Sequence, residues 1–308
     1  MKKTLLTIFL FLLSNQAQAK LSIFACEPEW GSLARAIVKD KMDIDVATNS
    51  SQNPKFVDVK AVLVAPARRA KMIFCSGGGL EEKWLNSLIH RSTNLAAISD
   101  ENSLLFAYDY AEKPKNIPAK FKYLQSSARV HLNPNNLIKI ANEFTRRIKI
   151  IDPLHAQFYQ ENNEDFVKKM EKAIVAWEQK ASPIKGMPLL ANDNSWVYLA
   201  DWLGLDISTL YNPETGKKPD VLRLHEIVVE LKSNPVEAII FAGWEDKKSM
   251  FWIRDTAKVR VLLVPFSTKG PTDLFKMFDL IINALLTDCS SGTCKTLGKV
   301  VKTNVRFK

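Results

Sequence analysis

The sequence predicts an α/β protein of two lobes, each with a central, mostly parallel sheet flanked by helices, joined by one long backbone helix. Short apolar runs alternate with helical patterns over residues 21–98, and the same alternation returns over residues 187–286. This alternation is typical of parallel strands joined by crossover helices. Between the two regions, residues 155–181 contain neither Gly nor Pro, which predicts one uninterrupted helix.

Four strands and three helices are predicted in the first lobe. The strand candidates are short apolar runs bounded by polar or turn-forming residues, and the segments between them show helical spacing. A Ser-Gly-Gly-Gly run at residues 76–79 favours a tight strand-to-helix turn, with anion binding at its backbone N–H groups as the alternative. The predicted strands are residues 21–26, 44–47, 71–75 and 95–98, and the predicted helices are residues 30–39, 55–69 and 80–90.

The second lobe repeats the pattern with four strands and four helices. Apolar residues recur every three or four positions in the second of these helices, as expected for one face packed on a sheet. The predicted strands are residues 187–191, 205–207, 238–241 and 259–264, and the predicted helices are residues 196–203, 221–233, 247–257 and 273–286.

The linking helix carries one apolar stripe and has a clear start and stop. Asp152-Pro153 precedes it, and Pro183 and Gly186 follow it. At 1.5 Å per residue it is roughly 40 Å long, enough to span both lobes. A single rigid helix between lobes is expected to limit hinge closure. The stripe consists of Phe166, Met170, Ile174 and Trp177.

The N-terminus has the features of a secretory signal peptide. Lys2 and Lys3 precede an apolar run at residues 5–13, and Ala17-Gln18-Ala19 supplies a small-x-small cleavage site. We therefore expect cleavage after Ala19 and a periplasmic or otherwise exported protein. The predicted segments are a signal peptide (1–19), an N-terminal lobe (20–152), the linking helix (153–184), a C-terminal lobe (185–288) and a tail (289–308).

Composition excludes several classes of protein. Hydrophobic residues make up 46% of the 308 residues and charged residues 25%, which are values of a globular rather than a fibrous or disordered chain. The 43 Lys and Arg against 33 Asp and Glu give a net charge of +10. The basic residues are scattered without an aromatic-interleaved stripe, so no nucleic-acid partner is expected.

Cysteine and histidine are both scarce, with four residues of each. Cys26 and Cys75 lie in two strands predicted to be neighbours, where they form either a disulfide or two buried free thiols. Cys289 and Cys294 are spaced to close a small loop by a disulfide in an oxidising compartment. His131 stands apart from the other histidines because it lies on a short extended segment just before a helix. A structural histidine and a ligand remain alternatives for it.

Five segments resemble the zinc/manganese-type solute-binding proteins of ABC transporters (ZnuA-like). They are ACEPEWGSLA at residues 25–34, GGLEEKWL at 78–85, VHLNP at 130–134, NSWVYLADWLG at 194–204 and DLFKMFD at 273–279. The resemblance runs in order from about residue 21 to 286. It implies two α/β lobes joined by a long helix, and Zn²⁺ or Mn²⁺ held between the lobes by three histidines and a carboxylate.

The family's ligand positions are only partly kept. His131 matches a ligand histidine, whereas Asp193 and Lys55 stand where the family has histidines. The C-terminal carboxylate position falls near Phe266 or Ser267, without a clear match. One hypothesis is that Lys55 takes the metal's place and pairs with Asp193. A second recruits other cleft carboxylates around His131 and Asp193, an oxygen-rich set that shifts preference towards Mn²⁺. These candidates are Glu27, Glu81, Glu245 and Asp246.

The resemblance implies an exported binding protein that delivers zinc, or manganese, to a membrane permease and its ATPase. We expect a monomer that makes peripheral contact with the membrane transporter and performs no catalysis. The first alternative is a degenerate paralogue that binds no metal or another small solute and has a regulatory or surface-interaction role. The second is an enzyme in which Glu27, Glu81, His131 and Asp193 share a cleft for acid–base chemistry. No nucleophile–base pair is recognisable, which favours a binding protein over an enzyme.

Overall fold

The first lobe is built on a sheet of four parallel strands. The computed structural model describes residues 20–115, 127–211, 219–269 and 274–287. The strands are β1 (Leu21–Ala25), β2 (Met42–Val46), β3 (Met72–Cys75) and β4 (Leu104–Phe106), and the helices are α1 (Pro28–Val38), α2 (Ala61–Arg69), α3 (Leu85–Ser92) and α4 (Ala96–Ser99). The strand order is β2–β1–β3–β4, and every pairing is parallel.

The second lobe repeats this topology. Its strands are β5 (Pro188–Ala191), β6 (Asp206–Leu210), β7 (Ala238–Phe241) and β8 (Arg260–Leu263), in the order β6–β5–β7–β8. All of its pairings are parallel as well. Between the lobes lie α5 (Pro134–Ile151) and α6 (Ala156–Ala181), and the second lobe adds α7 (Val197–Leu203), α8 (Val221–Ser233), α9 (Lys247–Ala257) and α10 (Leu274–Leu286). The predicted two-lobed α/β architecture is confirmed.

One predicted strand is wrong. Residues 95–98 form no strand. Leu95 precedes the single turn of α4, residues 96–98 belong to that turn, and the fourth strand is β4. The apolar side chains of Leu95 and Ile98 are exposed, so they do not belong to a strand buried on both faces. The side chain of Asn94 accepts a hydrogen bond from the N–H of Ala97 and thereby favours the helical turn.

Several predicted helices begin at different residues. Helix α2 starts at Ala61 rather than near residue 55, because residues 57–60 are extended or irregular. Helix α3 starts at Leu85 rather than near residue 80, after a run of turns. Helix α1 starts at Pro28, slightly earlier than expected, because Pro suits the first turn of a helix.

The long linking helix is confirmed and is part of one core. Phe166, Met170, Ile174 and Trp177 are all buried. They belong to a single apolar cluster that also contains residues of both sheets, such as Ile23 of the first and Leu189 of the second. Each lobe also has a smaller apolar cluster of its own on the other face of its sheet, with Ile73 in the first lobe and Ile239 in the second. None of the described helices combines the length and apolar character needed to cross a bilayer.

A disulfide joins Cys26 and Cys75, which decides between the two alternatives for this pair. It links the carboxyl ends of neighbouring strands β1 and β3, with a Cα–Cα distance of 4.8 Å. Closing a loop of this sequence separation stabilises the fold by about 4 kcal/mol in the chain-entropy account. Cys289 and Cys294 lie outside the described residues, as does the predicted signal peptide.

Replacing Trp177 should destabilise both lobes together. Its ring lies 4.9 Å from that of Phe278, and its Nε1 donates to Asp279 Oδ1 over 2.8 Å. We expect Trp177→Ala to lower the free energy of unfolding by about 3–5 kcal/mol, measured by urea denaturation. The control is Val175→Ala, an exposed position of the same helix, which should change it by less than about 0.5 kcal/mol. Equal effects of the two variants would contradict this account.

Candidate functional site

The carboxyl ends of the two sheets face each other across a cleft. In each sheet the order of the strands reverses between the two central strands, so that the connections after them run to opposite edges of the sheet. These strands are β1 and β3 in one lobe and β5 and β7 in the other. Ligands of open parallel sheets bind outside the carboxyl ends at such points. Glu27 and Glu29 follow β1, Asp193 follows β5 and Phe266 follows β8. The topology therefore places acidic side chains of both lobes at one cleft.

His131 lies at the centre of the cleft and is fully buried. It belongs to the short 3-10 helix Val130–Leu132 rather than to the predicted extended segment. Its Nε2 lies 2.9 Å from the carbonyl oxygen of Phe266, which can only accept, so Nε2 carries a proton. Burial lowers the pKa of His131, with Glu29 opposing that effect. The ring is therefore neutral at pH 7, with its lone pair on Nδ1.

That lone pair faces a carboxylate. Nδ1 of His131 lies 3.2 Å from Oε1 of Glu29, yet it makes no well-formed hydrogen bond with any of the described residues. Two groups that both present lone pairs at this distance repel each other unless a cation or a shared proton lies between them. The pair is therefore suited to hold a cation.

Three polar contacts join the lobes at the same place. Oγ of Ser32 lies 2.9 Å from Oγ1 of Thr268, Oγ of Ser267 donates to Oε2 of Glu29, and His131 donates to Phe266 as described above. Helix α1 supplies the first-lobe groups Ser32 and Glu29. Residues 266–268, which follow β8, therefore bridge the cleft to the first lobe. They stand where the family has a carboxylate ligand that this chain does not match.

Arg129 places a permanent positive charge in the cleft. Its side chain is 5% exposed, and the guanidinium carbon lies 5.0 Å from the ring centre of Phe266 and 5.8 Å from that of Trp244. Burial lowers the pKa of Arg129, whereas Glu29 and Asp193 act in the opposite direction. An arginine nevertheless stays charged at neutral pH. The cleft thus combines one guanidinium with several carboxyl groups.

Glu27 and Glu81 form a buried carboxyl pair beside the disulfide. Glu81 accepts the backbone N–H groups of Ser76 and Gly77, over 2.9 and 3.0 Å, so the glycine turn holds this carboxylate rather than an external anion. Oε2 of Glu27 accepts from Oγ of Ser76 over 3.0 Å. Burial, followed by the charge of Glu81, raises the pKa of Glu27 well above its usual value. Burial also raises the pKa of Glu81, but the backbone N–H groups of Ser76 and Gly77 oppose that effect, so the charged form is less favoured at Glu27 than at Glu81.

The second lobe adds further polar groups. Burial raises the pKa of Glu245, and the charge of Asp193 adds to this effect. Glu245 Oε2 accepts the N–H of Ala242 over 3.1 Å, while its Oε1 is buried without a hydrogen-bond partner among the described residues. Oδ1 of Asp193 accepts the N–H of Ser195 over 2.9 Å.

The remaining predicted site residues lie at the edge of this group. Asp246 caps α9 by accepting from Ser249, so its side chain serves the helix. Lys55 is half-buried, two residues beyond Asn53, whose side chain accepts its N–H. Gln52 and Pro54 line the small cleft cavity, of about 10 Å³, together with Glu27, Glu29, Arg129, Trp244, Phe266 and Ser267.

The structure thus places Asp193, Glu27 and Glu245 around the same cleft as His131 without joining three of them into one ligand cluster, and it adds residues that sequence reasoning did not find. Chief among these are Arg129 and Glu29. Both lie inside or beside segments that carried the family resemblance, yet no spacing signalled that their side chains meet. Of the described residues, the only Cys, His, Asp and Glu groups close enough to form a three-ligand metal cluster are Cys26, Cys75 and Glu81, and the two sulfurs are already joined.

Comparison with known proteins identifies the family of this chain. The family model for the periplasmic zinc-uptake complex component A, ZnuA, matches residues 23–287. The chain belongs to this family. It is therefore a substrate-binding protein of the metal ABC transporter class and not an enzyme, as the sequence predicted. Such proteins are exported and work with a permease and an ATPase.

Individual relatives are distant in sequence. The manganese ABC transporter substrate-binding lipoprotein PsaA of Streptococcus pneumoniae serotype 4 is 21% identical, over 75% of each chain. The iron ABC transporter substrate-binding lipoprotein MtsA of Streptococcus pyogenes serotype M1 is 20% identical, over 75% of this chain and 74% of MtsA. A crystal structure of ZnuA superposes with a TM-score of 0.71 at 16% identity, covering 89% of this chain and all of that one.

Glu27→Gln should reduce the loss of folding stability that the metal-free protein undergoes as the pH rises. A carboxyl group whose pKa is raised by folding destabilises the folded state as pH rises above its unfolded value of about 4.5. The glutamine keeps a hydrogen-bond donor towards Glu81 without that cost. We expect the variant to gain stability relative to wild type between pH 5 and 8, on the order of 1 kcal/mol or more, measured by urea denaturation in chelator.

The matched control is Glu82→Gln, which removes an exposed carboxylate of the neighbouring position. Its stability should follow that of the wild type across the same pH range. A constant difference between Glu27→Gln and wild type at every pH would show that Glu27 is ionised in the folded protein.

Proposed function

We propose that this protein binds zinc in the cleft between its lobes and delivers it to a membrane permease energised by its ATPase, acting as a monomer. The arrangement of His131 and Glu29 carries the proposal, because an imidazole nitrogen and a carboxylate oxygen 3.2 Å apart are placed to coordinate the same cation. Imidazole nitrogen and carboxylate oxygen are both good ligands for Zn²⁺. The family description points to the same metal.

Asp193 is the third ligand in this proposal. It stands in the second lobe at a family ligand position, and it lies close enough to the first lobe for its charge to oppose the lowering of the pKa of Arg129 by burial. A ligand from each lobe lets metal binding stabilise the closed form. In the described geometry Asp193 accepts from Ser195 and forms no three-ligand cluster with His131 and Glu29, so its carboxylate must move towards them when the metal binds.

Manganese is the second candidate. Glu29 and Asp193 make the donor set richer in oxygen than the family's three histidines, and oxygen ligands favour Mn²⁺. We take Glu29 in preference to Glu81 and Asp246, whose oxygens already accept hydrogen bonds from their own lobes. The suggestion that Lys55 pairs with Asp193 stays a prediction. Arg129 already supplies a cation near that carboxylate.

Metal titration tests the proposal directly. The mature protein, stripped with a chelator, is titrated with Zn²⁺ and with Mn²⁺ in a calorimeter, and its melting temperature is measured in parallel. We expect binding below roughly 1 µM for one of the two ions. Because His131 supplies a direct ligand, His131→Ala should weaken that affinity by roughly 100-fold or more.

The control is His225→Ala, which removes an exposed histidine that bonds to Val221 of its own helix and lies against Trp252 of α9. It should bind as the wild type does. If neither ion produces heat or raises the melting temperature, the chain is a family member that has lost metal binding, and a regulatory or interaction role replaces transport.

We also propose that the exported form begins at Lys20, after cleavage behind Ala19. The apolar run of residues 5–13 is followed by Ala17-Gln18-Ala19, a signal-peptidase pattern. Intact-mass analysis of the exported protein should give the mass of residues 20–308 with one disulfide or two. A retained leader or a lipid-modified N-terminus would contradict the proposal.

A further inference from the structure

Arg129 is a buried cation without a direct ionic partner. No carboxylate oxygen of the described residues forms an ion pair with its guanidinium within 4.0 Å, although other arginines of the described chain do form such pairs. No hydrogen bond from its guanidinium to a described residue is present either. A guanidinium with five donors, 5% exposed, has a strong need for acceptors.

A second donor lies beside it. The Nε1 of Trp244 is buried and makes no hydrogen bond with a described residue, and the Arg129 guanidinium packs 5.8 Å from the Trp244 ring centre. Both residues line the small cavity of the cleft together with Glu29 and Phe266. The residues around the cavity thus include two kinds of hydrogen-bond donor and Glu29, one of the proposed metal ligands.

Donors of this kind do not coordinate a metal. A guanidinium has no lone pair to offer, and its charge repels a bare divalent cation nearby. Binding of an anion alone is not favoured either, because Glu29 and Asp193 lie close to Arg129 and would repel the anion. A cation and an anion bound together remove both repulsions.

We propose that this cleft takes its metal together with a small oxyanion, bound by Arg129 and the Nε1 of Trp244 while it coordinates the metal. The planar fork of a guanidinium matches a carboxylate or bicarbonate, which it binds through two parallel hydrogen bonds. Formate and bicarbonate are the smallest oxyanions that present two oxygens in one plane to this fork. The inference rests on the proposed metal binding and adds the identity of a second ligand.

The anion and the metal must then increase each other's affinity. Reciprocal coupling between two sites is a thermodynamic requirement and commonly amounts to roughly 5- to 150-fold. Zn²⁺ and Mn²⁺ titrations of the stripped protein are therefore repeated in an anion-poor buffer, with formate and with bicarbonate. We expect the metal dissociation constant to fall by roughly tenfold or more with one of the two anions. Formate titrated without metal should produce no heat.

Arg129→Gln separates this mechanism from a general salt effect. Removal of the charge should strengthen binding of the bare metal and abolish the dependence on formate or bicarbonate. Arg129→Lys keeps the charge but loses the planar fork of the guanidinium. It should bind bare metal as weakly as wild type, and formate or bicarbonate should strengthen its metal binding less than in wild type. The control is Arg146→Gln, an exposed arginine on α5, which should retain the wild-type dependence.

The outcomes distinguish the two proposals. Tight metal binding that is the same with and without either anion, in wild type and in Arg129→Gln, overturns the oxyanion and leaves the metal site standing. An anion effect that persists in Arg129→Gln shows that the anion acts elsewhere and also overturns it. Absence of metal binding under every condition, in wild type and in all variants, overturns the metal site itself.

Discussion

The packing of helix α6 into a core shared by both lobes is the interaction on which the rest of the structure depends. Its buried stripe contacts residues that belong to one apolar cluster with both sheets, so the lobes cannot move apart without exposing apolar surface. The relative position of the two sheets is therefore restricted. Because the cleft lies at the carboxyl ends of those sheets, the helix also determines which side chains meet there.

The polar contacts across the cleft are of a different kind. Ser32 with Thr268, Glu29 with Ser267 and His131 with Phe266 are hydrogen bonds, each contributing only about 0.5–1.5 kcal/mol net, or somewhat more where a charge is involved. These hydrogen bonds orient the lobes relative to each other, but they add too little stability to prevent the cleft from opening. A cleft held in this way is suited to a solute that must be released, since modest rearrangement opens it while the core remains intact.

Burial of charge explains most of the site's chemistry. Desolvation raises the pKa of Glu27 and Glu245 and lowers that of His131, so three of the groups nearest the cleft tend to be neutral. The negative charges of Glu29 and Asp193 then need a counter-charge. Arg129 compensates them only in part, because it makes no direct ion pair with a described residue. The proposed metal and its anion complete this balance.

The sequence by itself determined the two α/β lobes, the long helix and the family, because these depend on periodicity and on contiguous segments such as residues 155–181 and 25–34. It also identified His131 and Asp193. It misplaced the fourth strand, since an apolar run such as 95–98 suits a helix turn equally well. Only the tertiary structure joined Cys26 to Cys75 and brought Glu29 and Arg129 to His131. The disulfide joins residues 49 positions apart and Glu29 meets His131 from a different element of the first lobe, and no local pattern records which distant side chains share a cleft.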